Sequence, residues 1–479
     1  MTDGERIAPT TPTRGVLRRL GYLLAAQWVR DAVQAVFLLL LARRSTELFG
    51  NFTLALGLGQ ILLFTTEFGI NQHFTVLLAK GRVSPGAVFR QISAIKAGLL
   101  GLGIMGLAGF TAWQGYGPDL WPVVLVVAVS FGLDSLVNSY FVVCQVLGRQ
   151  DVEGRLRGAA ALVGYGWGLA ALLLGAGPLA IALFKPVETA VGLIWVTRLL
   201  LKRRLRGTSW GLRTLWENWR EGIVFTIMAV AAILYNKINI FFLQNSGGAE
   251  AVAQYGATWQ LVDGVSVLVS SLLLGKVLFP LLARLWGRDR AEFLAAARTQ
   301  AAILAAASLP ALFVLALESG RIIGLLYGPA YAEAARVQPA LTLCILFAFL
   351  HNLAYYLLLS MGRQRLLAVY FLAGLALNAA LCSWAIPRWG LDGAVWSMIL
   401  TKGFMALLTL GTCQRLLRLL SLRALLPPLL AAAAAWGLAW GGRTLDLALP
   451  GEIAGLALLL LLLWRTCRRT PAKESPACG

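Results

Sequence analysis

Long apolar stretches, each of about 20 residues, alternate with short polar segments along almost the whole chain. They fall at 20–42, 49–72, 88–113, 119–147, 157–176, 178–200, 222–243, 252–283, 292–317, 336–361, 366–387, 391–412, 424–441 and 446–464. Each is long enough to cross a hydrocarbon core as an α-helix, and none shows the polar and apolar alternation of a membrane β-strand. The pattern therefore predicts an all-α polytopic membrane protein with about 14 transmembrane helices.

Composition and charge distribution add a topology to this prediction. Hydrophobic residues make up 58% of the 479 residues and charged residues only 13%, which is unlike a soluble protein. If the N-terminus lies in the cytoplasm, the basic residues of the outside loops are only Arg43, Arg44, Arg321, Arg336, Arg388 and Arg443. Because positively charged loops stay in the cytoplasm, we predict that both termini are cytoplasmic. Most of the net charge of +20 is then a topology signal, and no nucleic-acid partner is needed to explain it.

A basic segment with three tryptophans, 201–221, separates the sixth and seventh predicted spans. It is typical of an amphipathic interfacial linker, or of a solvated anchor attracted to anionic lipid headgroups. On this basis we expect a cytoplasmic arm at 1–16, an N-lobe at 17–200, a C-lobe at 222–420, two extra helices at 421–465 and a cytoplasmic tail at 466–479. The first residues lack the short apolar core of a signal peptide.

Two short matches indicate that the lobes are repeats. The segments NSYFVVCQVLGRQ (138–150) and NLAYYLLLSMGRQ (352–364) share an Asn and a Gly-Arg-Gln triplet at the same spacing. A weaker pair joins ELFGNFTLALG (47–57) to AVAQYGATWQL (251–261). Two six-helix lobes would have the same orientation and would be related by a pseudo-twofold axis along the membrane normal, as in two-lobed transporters.

Motifs of soluble enzymes are missing from the sequence. There is no GxxxxGK[ST] phosphate loop, the histidines His73 and His351 are far apart, and the six cysteines have no metal-ligand spacing. No polar region is long enough to form a catalytic domain. We therefore expect a protein that is not an enzyme and needs no cofactor, metal or disulfide. Its driving force would come from a gradient or from the substrate itself.

Ionisable residues inside the predicted spans are the main candidates for function, because a charge at mid-bilayer normally faces protein or a wet cavity. They are Arg30, Lys96, Lys185, Lys237, Lys276 and Lys402, and Asp31, Glu67, Asp134, Glu188 and Asp263. Three of the lysines, at 96, 185 and 276, lie near span ends, where a long side chain can snorkel to the interface. Lys237 stands in a polar patch between Asn236 and Asn239, and Arg30 and Lys402 lie nearer mid-span.

The first span contains a polar stripe. On a helical wheel, an arc of about 100° holds Gln27, Arg30, Asp31 and Gln34. A stripe of this kind with an apolar back is typical of a helix that lines a hydrated cavity. In the alternative interpretation, Arg30 is a structural residue paired with Asp134 or Glu67. Asp31, Glu67, Asp134 and Asp263 are candidates for ion coupling or for ion pairs.

Several segments resemble the polysaccharide-flippase family, which is Wzx-like and belongs to the multidrug/oligosaccharidyl-lipid/polysaccharide exporter superfamily. The first segment, at 39–71, carries a Glu-x2-Gly turn and an acidic-x-Gly at Glu67 and Gly69. The others are AEAVAQYGATWQLVDG (249–264), KVLFPLLARL (276–285), IIGLLYGPAYAEAA (322–335) and AIPRWGLDGAVWS (385–397). They occur in the family's order, so the resemblance covers most of the chain.

This resemblance implies two six-helix lobes and two extra helices around a central cavity. The implied substrate is an undecaprenyl-pyrophosphate-linked oligosaccharide, moved across the bacterial inner membrane and passed to polysaccharide polymerase machinery. The family's cationic cavities correspond here, by position only, to Arg30, Lys237 and Lys402, with Gln27, Gln34 and Asn236 as polar neighbours.

Three alternative functions stay open. A flippase for the lipid-linked peptidoglycan precursor shares the fold and the anionic headgroup. A cation-coupled multidrug exporter would use Asp31 as its ion site, although basic residues in the spans are as numerous as acids. A membrane polymerase or ligase would be expected to carry a large outside loop with catalytic charges, and the largest outside segment, near 318–336, holds only a few charged residues.

Overall fold

The computed structural model describes residues 13–68, 70–71, 85–146, 149–202, 212–269, 274–275, 278–419, 422–445 and 447–468. In these ranges the chain forms helices joined by short turns and contains no strand. The predicted all-α fold is therefore confirmed. The first helix begins at Thr13, inside the predicted arm. The rest of that arm, residues 203–211 of the predicted linker and residues 469–479 of the tail lie outside the described residues.

The first of two compact units covers Met1–Thr226. Its described helices are α1 (Thr13–Arg44), α2 (Thr46–Glu67), α3 (Pro85–Trp113), α4 (Leu120–Val146), α5 (Gln150–Leu173), α6 (Pro178–Ala182) and α7 (Phe184–Lys202). Extended backbone at Ser45 separates α1 from α2. The Ser45 hydroxyl accepts a hydrogen bond from the Leu48 N–H at 3.3 Å, so it caps α2 as serine commonly does.

The second unit covers Ile227–Gly479. Its helices are the greater part of α8 (Leu212–Leu268), then α9 (Phe279–Arg288), α10 (Arg290–Leu317), α11 (Ser319–Leu326), α12 (Ala332–Leu341), α13 (Leu343–Ser360), α14 (Gln364–Leu417), α15 (Leu422–Thr444) and α16 (Ala448–Arg468). Within α8 and α14, Gly248 and Gly390 have φ of 65° and 52°. Such values suit glycine alone without strain, so each glycine divides its helix into two.

The helices account for each predicted span. Among the described residues, ten helices are long and apolar enough to cross a membrane. Two of these, of 46 and 54 residues, are the ones that Gly248 and Gly390 divide. The longer one covers the spans predicted at 366–387 and 391–412, and the other covers the span predicted at 222–243 and residues 252–268 of the span predicted at 252–283. The remaining predicted spans, 20–42 and 424–441, lie in α1 and α15.

Both copies of the Gly-Arg-Gln triplet stand at the start of a helix. Arg149 precedes α5 with φ −100° and ψ 44°, and Arg363 precedes α14 with φ −92° and ψ 33°. The two arginines therefore share one backbone conformation, as a repeat would require. The repeat itself stays a prediction.

An aromatic cluster packs the helices of the first unit that carry its charged residues. The rings are buried, their centroids lie 4.9 to 6.3 Å apart, and they belong to Phe37, Phe52, Tyr165 and Phe184. Gly168 permits this approach, because a Cβ there would lie 2.8 Å from the Phe37 ring. Arg30 lies two turns before Phe37 on α1, and Glu188 lies one turn after Phe184 on α7, so the cluster fixes the helices that carry both.

The last two helices form a hairpin against α10. Phe313 of α10 packs on Ala435 of α15 and Leu459 of α16. The hairpin is close because a Cβ on Gly455 would lie only 2.7 Å from the carbonyl oxygen of Ala435. A small residue is therefore required at this crossing.

Candidate functional site

In the first unit, a polar face of α4 meets charged side chains from α1, α2, α5 and α7. The helix is mostly apolar, and Asp134 and Asn138 stand four residues apart on one side of it. Ser135 and Ser139 follow one position later and lie on an adjoining strip. Polar contacts to α4 therefore divide into two neighbouring groups.

Lys185 of α7 is the centre of a buried ion triad. Its side chain is fully buried, and Nζ donates to Asp134 Oδ2 at 2.5 Å and to Glu188 Oε2 at 2.7 Å. Thr189 Oγ1 donates to Asp134 Oδ1 at 2.7 Å, and the amine lies 4.4 Å from the centroid of the Phe131 ring. Such pairing is what a charge removed from water requires. The interpretation of Lys185 as a snorkelling side chain is therefore wrong.

Arg30 of α1 lies beside this triad. Its Nε is 3.4 Å from Glu188 Oε1, without hydrogen-bond geometry, and Nε is buried with no hydrogen-bond partner among the described residues. The sequence offers Asp134 or Glu67 as its partner, but the acid with which it forms an ion pair is Glu188. Arg30 is thus close to a carboxylate, yet it donates no hydrogen bond to the residues that the structure describes.

Arg157 of α5 belongs to the same cluster, although it is not among the residues predicted from the sequence. Its Nε donates to Glu153 Oε1 at 3.0 Å and its Nη2 to Asn138 Oδ1 at 3.4 Å. The guanidinium lies 4.2 Å from the centroid of the Phe141 ring, and Asn138 Nδ2 donates in turn to Glu67 Oε1 at 2.7 Å. The sequence does contain a detectable signal, because Glu153 and Arg157 have the spacing of an ion pair on one helix.

Lys96 of α3 occupies the second strip of α4. It is fully buried, and its Nζ donates to Asn71 Oδ1 at 2.9 Å, to the Ser135 carbonyl at 2.7 Å and to Ser139 Oγ at 2.7 Å. Three acceptors suit a protonated amine, which has three donors. Lys96 therefore does not snorkel, contrary to the sequence-based interpretation, and the side chain of Lys276 lies outside the described residues.

A cavity of about 70 Å³ lies among these groups in the first unit. Its polar lining consists of Arg30, Asp134, Asn138, Arg157 and Glu188, and apolar residues of α2, α4, α5 and α7 complete it. Arg30 is the only member of the α1 stripe on this lining. Gln27 Nε2 donates instead to the exposed Asp31 at 2.8 Å, and Gln34 is half-buried.

In the second unit, Lys402 of α14 is buried among neutral partners. Its Nζ donates to Asn236 Oδ1 at 2.7 Å and to Tyr235 Oη at 3.2 Å. The amine also lies 4.9 Å from the centroid of the Tyr235 ring and 5.5 Å from that of Trp259, within the range of cation–π attraction. No described carboxylate forms an ion pair with it. The structure thus brings together Lys402 and Asn236, two residues of the predicted set.

Lys237 follows Asn236 on α8 and is half-buried. It forms no hydrogen bond or ion pair with the described residues. Asp263, on the same helix beyond its break, interacts electrostatically with both Lys237 and Lys402 without a direct contact. The patch therefore contains two lysines and one acid, and no described acid is in contact with either lysine.

A hydrogen-bonded pair of asparagines fixes α8 against α14 behind this patch. Asn378 Nδ2 donates to the Tyr235 carbonyl at 2.6 Å and to Asn239 Oδ1 at 2.9 Å, and Asn239 Nδ2 donates to the Ala394 carbonyl at 2.8 Å. Both asparagines are fully buried. In the part of the chain that the structure describes, no group of His, Cys, Asp and Glu is arranged to hold a metal ion.

Residues 40–336, more than half of the chain, match a family described as polysaccharide biosynthesis protein. No curated protein matches the sequence significantly.

Solved structures share the fold. The lipid II flippase MurJ in an inward closed conformation has a TM-score of 0.70 at 11% identity, over 93% of this chain and 98% of its own. An inward-facing multidrug-resistance MATE transporter of the MOP superfamily has a TM-score of 0.64 at 13% identity, over 81% and 95%. A MOP superfamily transporter from Pyrococcus furiosus, described by a reversed polarity of its binding pocket, has a TM-score of 0.59 at 12% identity, over 85% and 99%. At these identities the likeness establishes the fold alone.

Proposed function

The chain belongs to the family of polysaccharide biosynthesis proteins, and on this premise we propose that it is a flippase for a lipid-linked oligosaccharide. Its substrate is an undecaprenyl-pyrophosphate-linked oligosaccharide, which it moves to the outer leaflet of the bacterial inner membrane for surface polysaccharides of the O-antigen type. Transport proceeds by alternating access, in which the substrate site opens first to one face and then to the other. Both termini are cytoplasmic, and polymerase machinery receives the exported unit.

The observation that carries this proposal is the environment of Lys402. Its buried amine is held by a phenol oxygen, an amide oxygen and two aromatic rings, without an ion pair to any described acid. A buried cation without a counter-ion in direct contact is costly to keep. The pyrophosphate of the substrate supplies that counter-ion, and the neighbouring Lys237, which forms no hydrogen bond or ion pair with the described residues, contributes a second contact.

The other parts of the substrate have separate requirements. Oligosaccharide hydroxyls need polar and aromatic partners, which Asn236, Tyr235 and Trp259 offer around the amine. The polyprenyl tail is as apolar as the lipid and can stay in the bilayer during transport. Only the headgroup therefore has to be sheltered from the hydrocarbon.

The lipid-linked peptidoglycan precursor is the second candidate substrate. MurJ, a lipid II flippase, shares the fold over nearly its whole length, and its substrate offers the same kind of anionic headgroup. A multidrug exporter of cations fits less well, because the Lys402 patch carries two positive charges, Lys402 and Lys237, against the single negative charge of Asp263.

The test is a transport assay with purified protein in liposomes. The substrate is a short-chain polyprenyl-pyrophosphate disaccharide whose sugar carries a dithionite-sensitive fluorophore, so that bleaching reports the outer leaflet. We expect Lys402→Gln to lose at least tenfold in rate, which corresponds to about 1.4 kcal/mol, and Lys402→Arg to keep part of it. Arg415→Gln removes the same charge from an exposed position of α14 and serves as the matched control.

Different substrates separate the alternatives. Transport of the disaccharide lipid but not of a peptidoglycan precursor supports the proposal, and the reverse preference favours the second candidate. If wild-type protein moves neither lipid but moves a cationic dye, the proposal is wrong. Equal rates for Lys402→Gln and Arg415→Gln would remove Lys402 from the site.

A further inference from the structure

We propose that the cavity of the first unit is a subsite for one singly charged phosphate-diester group, held by Arg30 and Arg157. The inference rests on the proposed function for the source of this group, which is the pyrophosphate of the lipid-linked glycan. It adds Arg157 as a ligand and gives Arg30 a defined partner. The lining residues of the cavity all belong to the first unit.

The cavity is rich in unused hydrogen-bond donors. A guanidinium has several N–H groups in a planar fork, and Arg30 uses none of them in a hydrogen bond to the described residues. Arg157 uses Nε on Glu153 and one N–H of Nη2 on Asn138 at the long distance of 3.4 Å. Both arginines line the cavity. An occupant therefore meets side chains with unused donors from two helices, α1 and α5.

The carboxylates on the same lining are already occupied. Both oxygens of Asp134 accept hydrogen bonds, from Lys185 and Thr189. Of the Glu188 oxygens, Oε2 accepts from Lys185 and Oε1 faces Arg30. A metal or organic cation would have to displace these partners. The arrangement therefore favours a group with several acceptor oxygens, for which arginine is the best-matched side chain.

The charge of the cluster and the volume of the cavity limit the kind of group that can bind. The basic side chains of the cluster are paired with acids, so the cavity offers hydrogen-bond donors but little net positive charge. Each additional negative charge on the occupant then adds a desolvation cost without added attraction, which favours a monoanion over a multiply charged anion. A volume of about 70 Å³ accommodates about five water-sized groups, which is the number of heavy atoms in a phosphate group. In a pyrophosphate that links a polyprenol to a sugar, each phosphorus carries a single negative charge.

The two arginines are held in place before an occupant arrives. Arg157 lies over the Phe141 ring and is anchored on Glu153, which Gln145 Nε2 also contacts at 3.1 Å and 3.0 Å. Arg30 is placed by Glu188, which Lys185 fixes. Because the side chains are ordered in advance, binding costs less conformational entropy.

Binding of dimethyl phosphate, a singly charged diester, tests the subsite directly. Full-length protein is purified in dodecyl maltoside, which contains no phosphorus, and binding is followed by ³¹P line broadening. We expect saturable binding to wild type, weakened about tenfold to a hundredfold in Arg157→Gln and in Arg30→Gln, as for the loss of a charge-assisted hydrogen bond. Arg155→Gln, an exposed arginine on the same helix, should bind like wild type.

Further measurements in the same binding assay identify the molecule that supplies the phosphate group and control for misfolding of the variants. Arg157→Lys keeps the positive charge but loses the planar set of guanidinium N–H donors, so it should bind dimethyl phosphate with intermediate affinity. If a short-chain polyprenyl-pyrophosphate sugar displaces dimethyl phosphate and phosphatidylglycerol does not, the subsite binds the glycan carrier. If phosphatidylglycerol displaces it and the pyrophosphate sugar does not, the subsite binds a phospholipid headgroup, and the link to transport is wrong.

The subsite and the transport function can fail separately. If Arg157→Gln, eluting as a folded monodisperse protein, binds dimethyl phosphate like wild type, the subsite is wrong even if glycan lipids are still transported. If wild type binds dimethyl phosphate and the arginine variants do not, but no glycan lipid is moved, the subsite stands and the proposed function is wrong. Absence of binding to wild type also overturns the subsite.

Discussion

Replacing Lys185 with Met tests whether Asp134 and Glu188, the two acids of the ion triad in the first unit, depend on the Lys185 amine for their stability in the folded protein. The change removes a fully buried amine that donates to Asp134 at 2.5 Å and to Glu188 at 2.7 Å. It leaves two carboxylates close together without their shared cation. Met has a similar length and volume, so an empty cavity contributes little to the effect.

The magnitude follows from two opposing terms. At these distances each ion contact provides about 6 kcal/mol of Coulomb attraction at an effective dielectric constant of about 20, while burial costs several kcal/mol per ion. The intact triad therefore makes only a small net contribution to the free energy of unfolding. Without Lys185, the acids keep their desolvation cost and repel each other, which gives a loss of about 3–5 kcal/mol in the free energy of unfolding. The Asp134 side chain is 19% exposed, so we expect the lower end of this range.

The assay is equilibrium unfolding in mixed micelles of dodecyl maltoside and SDS, followed by tryptophan fluorescence. The double variant Lys185→Met/Asp134→Asn removes one acid together with the amine and leaves Glu188 opposite Arg30. We expect it to recover about 1–3 kcal/mol relative to Lys185→Met alone, because neighbouring charges are not additive. Arg149→Met breaks an exposed ion pair of the same unit and should cost less than about 1 kcal/mol.

Two results would refute this reasoning. One is a loss for Lys185→Met no larger than that for Arg149→Met, which would mean that water reaches the triad. The other is a double variant less stable than either single variant, which would mean that Asp134 contributes through Thr189 and the backbone rather than through Lys185.

The remaining predictions concern packing in the second unit. Gly455→Ala should lower the free energy of unfolding by about 1–3 kcal/mol, because the added Cβ meets the Ala435 carbonyl oxygen at 2.7 Å; Gly437→Ala, with open space around it, is the control in the same unfolding assay, and equal values would contradict the close crossing. Asn378→Leu should cost about 1–3 kcal/mol by leaving Asn239 without a donor, measured in the same way. An unchanged stability would mean that water replaces the lost amide.

Much of the fold is predictable from the sequence because hydrocarbon imposes a simple rule. Each span has to satisfy its own backbone as a helix, so span positions follow from apolar length. The boundaries are less predictable, since Thr13 begins a helix inside a polar arm. The break at Gly390 does lie between the spans predicted at 366–387 and 391–412, but there a single residue divides α14 without the intervening loop that the sequence suggests. Such a break depends on one backbone angle rather than on composition.

The polar stripe of α1 shows what a helical wheel can and cannot provide. It separates the polar side of the helix from its apolar back, and the structure does place Arg30 on a cavity. It does not distinguish Arg30 from Asp31, which lies on the same arc but is exposed and contacts Gln27. Neighbouring helices decide which part of a polar arc is covered, and their positions are not encoded in the local sequence.

Lys185, Lys96 and Arg157 escape sequence-based prediction for a related reason. Distance from a span end predicts snorkelling only where lipid surrounds the side chain. Here Lys185 and Lys96 are fully buried, because acceptors on α4, far away in sequence, lie opposite them. Arg157 resembles a cytoplasmic topology residue at the start of a span, but α5 begins early enough at Gln150 to carry it into the cluster.

The pairing of each cation therefore matters more for function than its depth in the span. Lys185 forms ion pairs with two carboxylates and therefore has a structural role. Lys402 is also buried, but its hydrogen-bond partners among the described residues are all neutral. A negatively charged headgroup would gain little free energy from contact with Lys185, whereas it would give Lys402 the counter-ion that its direct contacts lack. Arg30 lies between these cases, since Glu188 offsets its charge while its N–H groups donate to no described residue. A residue of this kind recognises the shape of an oxyanion more than its charge, which is why the phosphate-diester test uses a monoanion.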